Sequence, residues 1–367
     1  MRTVGNSISH QPRHVLVTGA SGFIGSNLVR VLLEDGLSVR VLIEPGVATQ
    51  NLNGLDVEHV HGDLRDPEAL IGAVRGCDTV YHLGAIFDYW LPVPAEMYRV
   101  NVEGTVYLLR AARAAGVERF VHCSSVAALG TLPDEELATE ETTFNNWDNA
   151  DDYVLSKYIA QQEALRFNGE GIDVVVGMPC FPMGRNDITP TPTGTMFQQY
   201  IEGKNPTAFI GGINLVNVRD VAKGLALCGT HGRPGQSYTL GGHNITYKEL
   251  GERLCEAAGQ KRPARMLDPN SLLWVGRLMD WFSALTKIKP KFTRRNLTYL
   301  GGRFIYFHTN KVETELGYQI TPLDETIEEC LRWFTNERDR VLAGDVVHPA
   351  VTKVRPQPSA EVSVHAE

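Results

Sequence analysis

Six cysteines are scattered through 367 residues, and no two stand closer than Cys228 and Cys255. That spacing excludes a CxxC redox pair and the paired ligands of a structural zinc site. Eleven histidines form no HExxH, and His59 and His61, one residue apart, read as strand alternation rather than ligands. No metal is expected. Isolated cysteines in such a chain fit buried, reduced thiols, so the expected compartment is the cytoplasm. No apolar run approaches the roughly 18 residues of a membrane span. Met1 to Arg13 is polar, lacks the apolar core of a secretion signal, and reads as a flexible tail. Residues 343–367 mix proline, valine and charge without a period and read as a mobile tail. Positive charge is in deficit, with 35 Lys and Arg against 43 Asp and Glu, which argues against nucleic acid as a partner.

Glycine is plentiful, and three glycines are placed where chemistry uses them. The apolar run Val15-Leu-Val-Thr18 leads into Gly19-Ala-Ser-Gly22-Phe-Ile-Gly25, followed by a helical pattern through Leu28, Val29, Val31, Leu32 and Leu33. Such a turn lets backbone approach a pyrophosphate and packs the helix closely on the strand. The helix N-terminus then offers N–H groups and a positive dipole end to phosphates. A ligand-free βα turn is the competing reading, and the strand before and helix after weigh against it.

Strand and helix patterns alternate through the first half. Strands are expected at Val15–Val17, Ser38–Ile43, Val57–His61, Thr79–Leu83, Phe120–Cys123 and Val174–Val176. Helices are expected at Phe23–Leu33, Pro67–Val74, Glu96–Ala115 and Tyr153–Phe167. Alternating βα units predict an α/β fold, a Rossmann-type doubly wound parallel sheet covered by helices on both faces. Residues 14–180 form this domain, with 215–242 rejoining it. Residues 181–214 and 243–342 form a smaller, mostly helical substrate lobe, with a short strand at Phe304–Phe307.

Tyr153 and Lys157 stand four apart on one expected helix face. An ammonium beside a phenol favours phenolate and lowers the tyrosine pKa, which suits proton exchange with a carbinol or carbonyl oxygen. Ser124 and Ser125 end a strand where ligands of parallel sheets bind. Either hydroxyl can donate to that oxygen or cap the next turn. Asn101 lies inside an apolar helix pattern, where its amide needs partners; a structural role and a proton relay are both open.

Together TGASGFIG (18–25), Gly62-Asp63-Leu64, His82-Leu83-Gly84-Ala85, Asn101-Val-Glu-Gly-Thr105, Ser124-Ser125, Tyr153-x-x-x-Lys157 and Pro179 resemble the extended short-chain dehydrogenases/reductases, or NAD-dependent epimerase/dehydratase family. The dihydroflavonol-reductase-like and hopanoid-associated epimerase-like branch looks nearest, with 3β-hydroxysteroid dehydrogenases close by. Asp187-Ile-Thr-Pro-Thr-Pro-Thr-Gly194, Tyr238-Thr-Leu-Gly-Gly242 and Leu316-Gly-Tyr318 carry that resemblance. It implies a catalytic set of Ser125, Tyr153, Lys157 and Asn101. It also implies a dinucleotide site of Gly19, Ser21, Gly22, Phe23, Ile24, Gly25, Glu44, Asp63, Leu64, Leu83, Gly84, Ala85, Tyr153, Lys157 and Pro179. Asp63 and Leu64 would contact adenine, and Lys157 the nicotinamide ribose. Sugar-nucleotide epimerases carry an Asn-Val-Tyr-Gly-Pro-like stretch where this chain has Cys180-Phe-Pro-Met-Gly184.

The expected activity interconverts a secondary alcohol and a ketone, or reduces an aldehyde, on a small molecule. Sugar epimerisation, 3β-hydroxysteroid-like chemistry on a lipid, and dinucleotide sensing without catalysis are the alternatives. Glu44 is the first acid after the second strand, which favours NAD over NADP, although Ile43 holds the usual acid position and Arg40 is near. Helices Glu96–Ala115 and Tyr153–Phe167 carry surplus apolar positions and are expected to pair in a homodimer. Trp274, Leu278, Met279, Trp281, Phe282 and Leu285 recur at helical spacing, and no acid occurs from Trp281 to Val312. A lid helix packed on the core with a solvated basic face is the favoured reading of 274–311. Peripheral contact with an anionic membrane is the other.

Overall fold

The structure, a computed structural model, describes residues 10–205, 207–263, 265–290, 293–300 and 302–344. The first half alternates β1 (His14–Thr18), α1 (Phe23–Glu34), β2 (Ser38–Ile43), β3 (Glu58–His61), α2 (Pro67–Val74), β4 (Thr79–His82), α3 (Ala95–Tyr98), α4 (Gly104–Ala114), β5 (Arg119–Cys123), α5 (Asp152–Arg166) and β6 (Asp173–Pro179). There follow β7 (Phe181–Met183), α6 (Pro192–Ile201), β8 (Thr207–Phe209), β9 (Gly212–Asn217), α7 (Val218–Thr230), β10 (Ser237–Leu240), β11 (His243–Thr246), α8 (Tyr247–Ala257) and β12 (Arg265–Leu267). Then come α9 (Leu273–Thr286), α10 (Arg294–Leu300), β13 (Phe304–Ile305), α11 (Asn310–Leu316) and α12 (Leu323–Arg332).

Seven parallel strands form the main sheet in the order β10-β6-β5-β4-β1-β2-β3. Strand alternation serves two cores. Val15, Val17, Tyr81, Val121 and Val175 meet α1 and α7 on one face, whereas Leu16, Val80, Phe120 and Val174 meet α2 and α4 on the other. Full burial of Leu28, Val29 and Leu32 on α1 contributes about 1.5–3 kcal/mol per side chain. The chain leaves β3 at the edge and returns as β4 beside β1. The strand order therefore reverses between β1 and β4, where ligands of open α/β sheets bind.

The second half departs from the sequence reading in its strands. Of residues 215–242, β10 joins the main sheet beside β6 and α7 covers its face. β9 instead centres a second sheet, pairing antiparallel with β11 and parallel with β7 and β13. A parallel pair of β8 and β12 completes the lobe, whose core includes Phe197, Tyr200, Leu215, Leu250, Leu254 and Ile327.

Three further expectations change. The helix expected over Glu96–Ala115 is α3 and α4 joined by a five-residue π-helical segment, Arg99–Glu103, which contains Asn101. Residues 10–13 are not a loose tail: His10 N–H donates to Thr230 O at 2.9 Å, its ring lies 2.7 Å from Thr79 Oγ1, and Pro12 is buried. Residues 1–9 and 345–367, both within expected tails, lie outside the described residues. Finally, α9 does not pack its apolar stripe inward. Gly276 and Ser283 are its buried residues, while Trp274, Leu278, Trp281 and Leu285 are exposed. Small residues let α9 lie close on α10, and that packing leaves the large side chains on the opposite arc.

Candidate active site

The glycine turn sits where β1 and β4 end side by side. Gly19 has φ +67°, and a Cβ there would lie 2.7 Å from Gly84 N and Leu83 C, both backbone atoms. At Gly25 a Cβ would meet Gly19 O at 2.1 Å. Gly22 begins α1 with no side-chain cap, so the first-turn N–H groups stay available to an anion.

A directed chain of hydrogen bonds fixes the β4 end. Gly84 N–H donates to Thr18 Oγ1 (3.0 Å), and Thr18 Oγ1 lies 2.7 Å from His82 Nδ1. His82 Nε2 lies 2.8 Å from Thr105 Oγ1, which donates to Asn101 O at 2.7 Å. Burial pushes His82 down to about 3, so the ring is neutral. Thr105 uses its proton on Asn101 O, so His82 donates from Nε2 and accepts at Nδ1.

Asn101 is spent on architecture. Its Oδ1 accepts from Ile86 N–H (2.7 Å), and its Nδ2 donates to Ile86 O (3.1 Å) and Ser156 Oγ (2.9 Å). It is 2% exposed and is not among the cavity-lining residues. The π-helical segment carries this amide, which clamps the loop after β4 to α5. The geometry makes Asn101 a positioning residue instead of the proton relay considered from sequence.

Every other residue expected to touch cofactor or substrate lines one cavity of about 450 Å³. At its adenosine end, Arg65, missed in the sequence reading, grips both oxygens of Asp63 (2.6–3.1 Å) and donates to Glu96 Oε2 at 3.0 Å. Its Nη2 lies 3.6 Å from Glu44 Oε1. The Arg65 hydrogen bond holds Asp63 below the usual carboxylate range. The Asp-Leu-Arg sequence after β3 was the available signal for an arginine at that end.

At the other end, α5 presents Tyr153 and Lys157. Asp151 caps this helix, accepting from Val154 N–H at 2.9 Å. Lys157 Nζ donates to Cys123 O at 2.7 Å, and burial lowers its pKa. Two of its three donors remain for other acceptors. Tyr153 stays partly open at the cavity wall. Burial raises its pKa, opposed by the Ser125 hydroxyl. This corrects the expected depression of the phenol: the ammonium is anchored on the β5 carbonyl, and desolvation dominates at the ring. The two serines separate cleanly. Ser124 Oγ donates to buried Gln161 Oε1 at 2.5 Å, whereas Ser125 Oγ accepts from Ala127 N–H at 3.1 Å and keeps its proton for the cavity. Pro179 ends β6 at the same rim. Phe87, also unanticipated, stacks obliquely on Tyr153 with ring centroids 4.8 Å apart.

The residues fit a dinucleotide: an uncapped helix N-terminus, a turn closed to a Cβ at Gly19 and Gly25, and acids at the far end share one cavity. Among the described residues no cluster of three or more His, Cys, Asp or Glu can hold a metal ion. Among them, too, no helix is long and apolar enough to cross a membrane.

The model of the NAD dependent epimerase/dehydratase family matches residues 15–241. A Synechocystis sp. protein provisionally named dihydroflavonol 4-reductase is 33% identical over 329 residues, 87% of this chain and 94% of that one. A 3-beta-hydroxysteroid dehydrogenase of Mycolicibacterium neoaurum is 30% identical over 362 residues, 90% of this chain and 93% of the relative. The crystal structure of gox2253 shares 38% identity and a TM-score of 0.78, covering 87% of this chain and 97% of that chain. The chain is an oxidoreductase that belongs to the NAD-dependent epimerase/dehydratase family.

Proposed function

We propose that the chain interconverts a secondary alcohol and a ketone, or reduces an aldehyde, on a predominantly apolar small molecule. The observation that carries this reading is the convergence of Tyr153, Ser125 and Lys157 on one cavity whose wall beside them is Phe87, Tyr89, Ile86, Phe181 and Pro182. A bound nicotinamide dinucleotide supplies or accepts the hydride. Tyr153 gives its phenolic proton to the nascent alkoxide in reduction and takes it back in oxidation. Ser125 donates to the same oxygen and polarises it. Lys157, held by Cys123 O, directs its remaining N–H groups to the ligand and stabilises the phenolate once it forms. The apolar wall excludes water that would compete for that proton.

Sugar-nucleotide epimerisation uses the same three groups and is the second reading. It fits less well, since Lys157 is the one cation among the described residues lining the cavity, where a second diphosphate would call for more. A hydroxysteroid or other lipid alcohol suits the wall better. Dinucleotide sensing without turnover is disfavoured by the intact Tyr153 and Lys157. NAD is favoured over NADP, because the three acids Glu44, Asp63 and Glu96 outnumber the two guanidiniums that pair with them, Arg65 and Arg99, and leave the region net negative toward a 2′-phosphate. We also assign a cytoplasmic location and a homodimer. The dimer forms through α5 and through α4 with the π-helical segment before it, where Val102, Val106, Leu155, Ile159 and Leu165 keep exposed surface while Leu108, Leu109 and Val154 are in the protomer's own core. Incubating the protein with NAD and a graded panel of secondary alcohols tests the activity by NADH formation. Turnover rising with substrate apolarity supports the reading; turnover confined to nucleotide sugars rejects it.

A further inference from the structure

Helix α9 is amphipathic in the wrong direction for a lid. At 100° per residue, Trp274, Leu278, Trp281 and Leu285 fall on one narrow arc, and they are 64%, 58%, 65% and 66% exposed. The opposite arc holds Gly276 and Ser283, both buried. Gly276 lets the two helices approach, since a Cβ there would lie 3.0 Å from the Arg294 backbone. Phe282 and Ile288 extend the exposed apolar surface at 52% and 59%. Two tryptophans at two-thirds exposure alone account for roughly 200–300 Å². With their aliphatic neighbours the patch passes the few hundred Å² that a monomer ordinarily exposes.

The charge around the patch is mainly positive: the one acid of α9, Asp280, turns to α10 and accepts from Arg294 N–H at 3.1 Å. From Trp281 to Val312 the sequence has no acid, in a chain whose net charge is −8. Arg303 and Lys311 of this stretch are bound inward, to Asn146 and to Gln236 and Ser237. Arg277, Lys287, Lys289 and Arg295 are exposed around the stripe. Lys289 also pairs with Asp88 Oδ2 at 2.5 Å, joining this surface to the loop that carries Phe87 and Tyr89 at the cavity rim.

We propose that α9 and the basic turn after it form a docking surface for an anionic lipid bilayer, with the tryptophan stripe immersed and the cations among the headgroups. Exposed tryptophans flanked by cations suit that interface, where aromatic rings and basic groups are both favoured. A second copy of the chain suits it poorly. A twofold contact would set the cations of one copy, Arg277, Lys287 and Lys289, against the same positively charged surface of the other. The proposal stands on this surface and not on the identity of the substrate.

The full chain is floated with phosphatidylcholine vesicles, with and without phosphatidylglycerol. The expected result is co-flotation with the anionic vesicles alone, loss of binding in about 1 M salt, where the screening length falls to about 3 Å, and tryptophan quenching by brominated lipid. The double variant Trp274→Ser/Trp281→Ser is expected to bind at least about tenfold less, with unchanged circular dichroism, dinucleotide binding and mass. Absence of flotation, or flotation that the double variant retains, overturns the proposal. A larger mass by light scattering for the wild type than for the double variant also overturns it and assigns the patch to a second copy.

Discussion

Replacing Gly19 with alanine separates two costs that the structure lets us estimate. The first is conformational: φ +67° places a β-carbon in the left-handed region, at about 1–2 kcal/mol. The second is steric. The new Cβ would lie 2.7–2.8 Å from Gly84 N and from Leu83 C and O, so the β1 and β4 ends must part by several tenths of an ångström. Gly36 supplies the control, with φ +80° and nothing within 4 Å of its added Cβ. Gly36→Ala is therefore expected to lose about 1–2 kcal/mol and bind NAD normally. Gly19→Ala is expected to lose about 1–3 kcal/mol more, as overpacking does, and to weaken NAD binding at least about tenfold. Urea unfolding and dinucleotide titration read both quantities. If Gly19→Ala unfolds with Gly36→Ala and binds NAD as the wild type does, the account of the turn is wrong.

Three further outcomes follow from the site. Burial raises Asp151 to about 6, so the folded chain holds its proton more tightly than the unfolded one, and this residue's contribution to stability falls as pH rises from about 4 to 6. Asp151→Asn keeps an acceptor for Val154 N–H and removes that penalty; urea titrations should show it up to about 3 kcal/mol more stable at pH 7 and no better at pH 4, whereas parallel pH profiles for both proteins contradict the assignment. Asn101→Leu should cost about 1–3 kcal/mol by stranding the Ile86 amide and carbonyl, raising KM for NAD with the pH profile of kcat unmoved; a shifted profile would restore the proton-relay reading. Glu44→Arg should move the ratio of kcat/KM for NAD to that for NADP toward NADP, and a wild type that prefers NADP or a ratio that does not move refutes the role given to Glu44.

Much of the site was legible because it depends on local chemistry. The β1 run, the glycine turn and the Tyr153–Lys157 spacing each leave a mark within a few residues, and parallel strands buried on both faces stand out as short apolar runs. Ser125 could be told from Ser124 by resemblance, and the structure supplies the physical difference: Ser124 spends its proton on buried Gln161, whereas Ser125 accepts from Ala127 N–H and keeps its own. What was not legible depends on partners distant in sequence. The π-helical segment carries an Asn101 amide that bonds both Ile86 and Ser156, partners 15 and 55 residues away. The strand at Gly212–Asn217 carries apolar residues that suit either sheet, and only its neighbours assign it to the smaller one. Helix α9 shows most plainly why periodicity cannot say which way a stripe faces. The same pattern buries or exposes the tryptophans according to where Gly276 and Ser283 find a neighbour.

The central claim is that Tyr153 is the proton donor of an alcohol–ketone oxidoreductase. Tyr153→Phe removes the phenolic proton and leaves the ring, its stacking on Phe87, and Lys157 in place. Turnover of the best alcohol in the panel is measured beside the affinity for NAD. The account predicts a rate lower by about a hundredfold to ten-thousandfold with NAD affinity unchanged within about twofold. A variant that keeps more than about a tenth of the wild-type rate contradicts it.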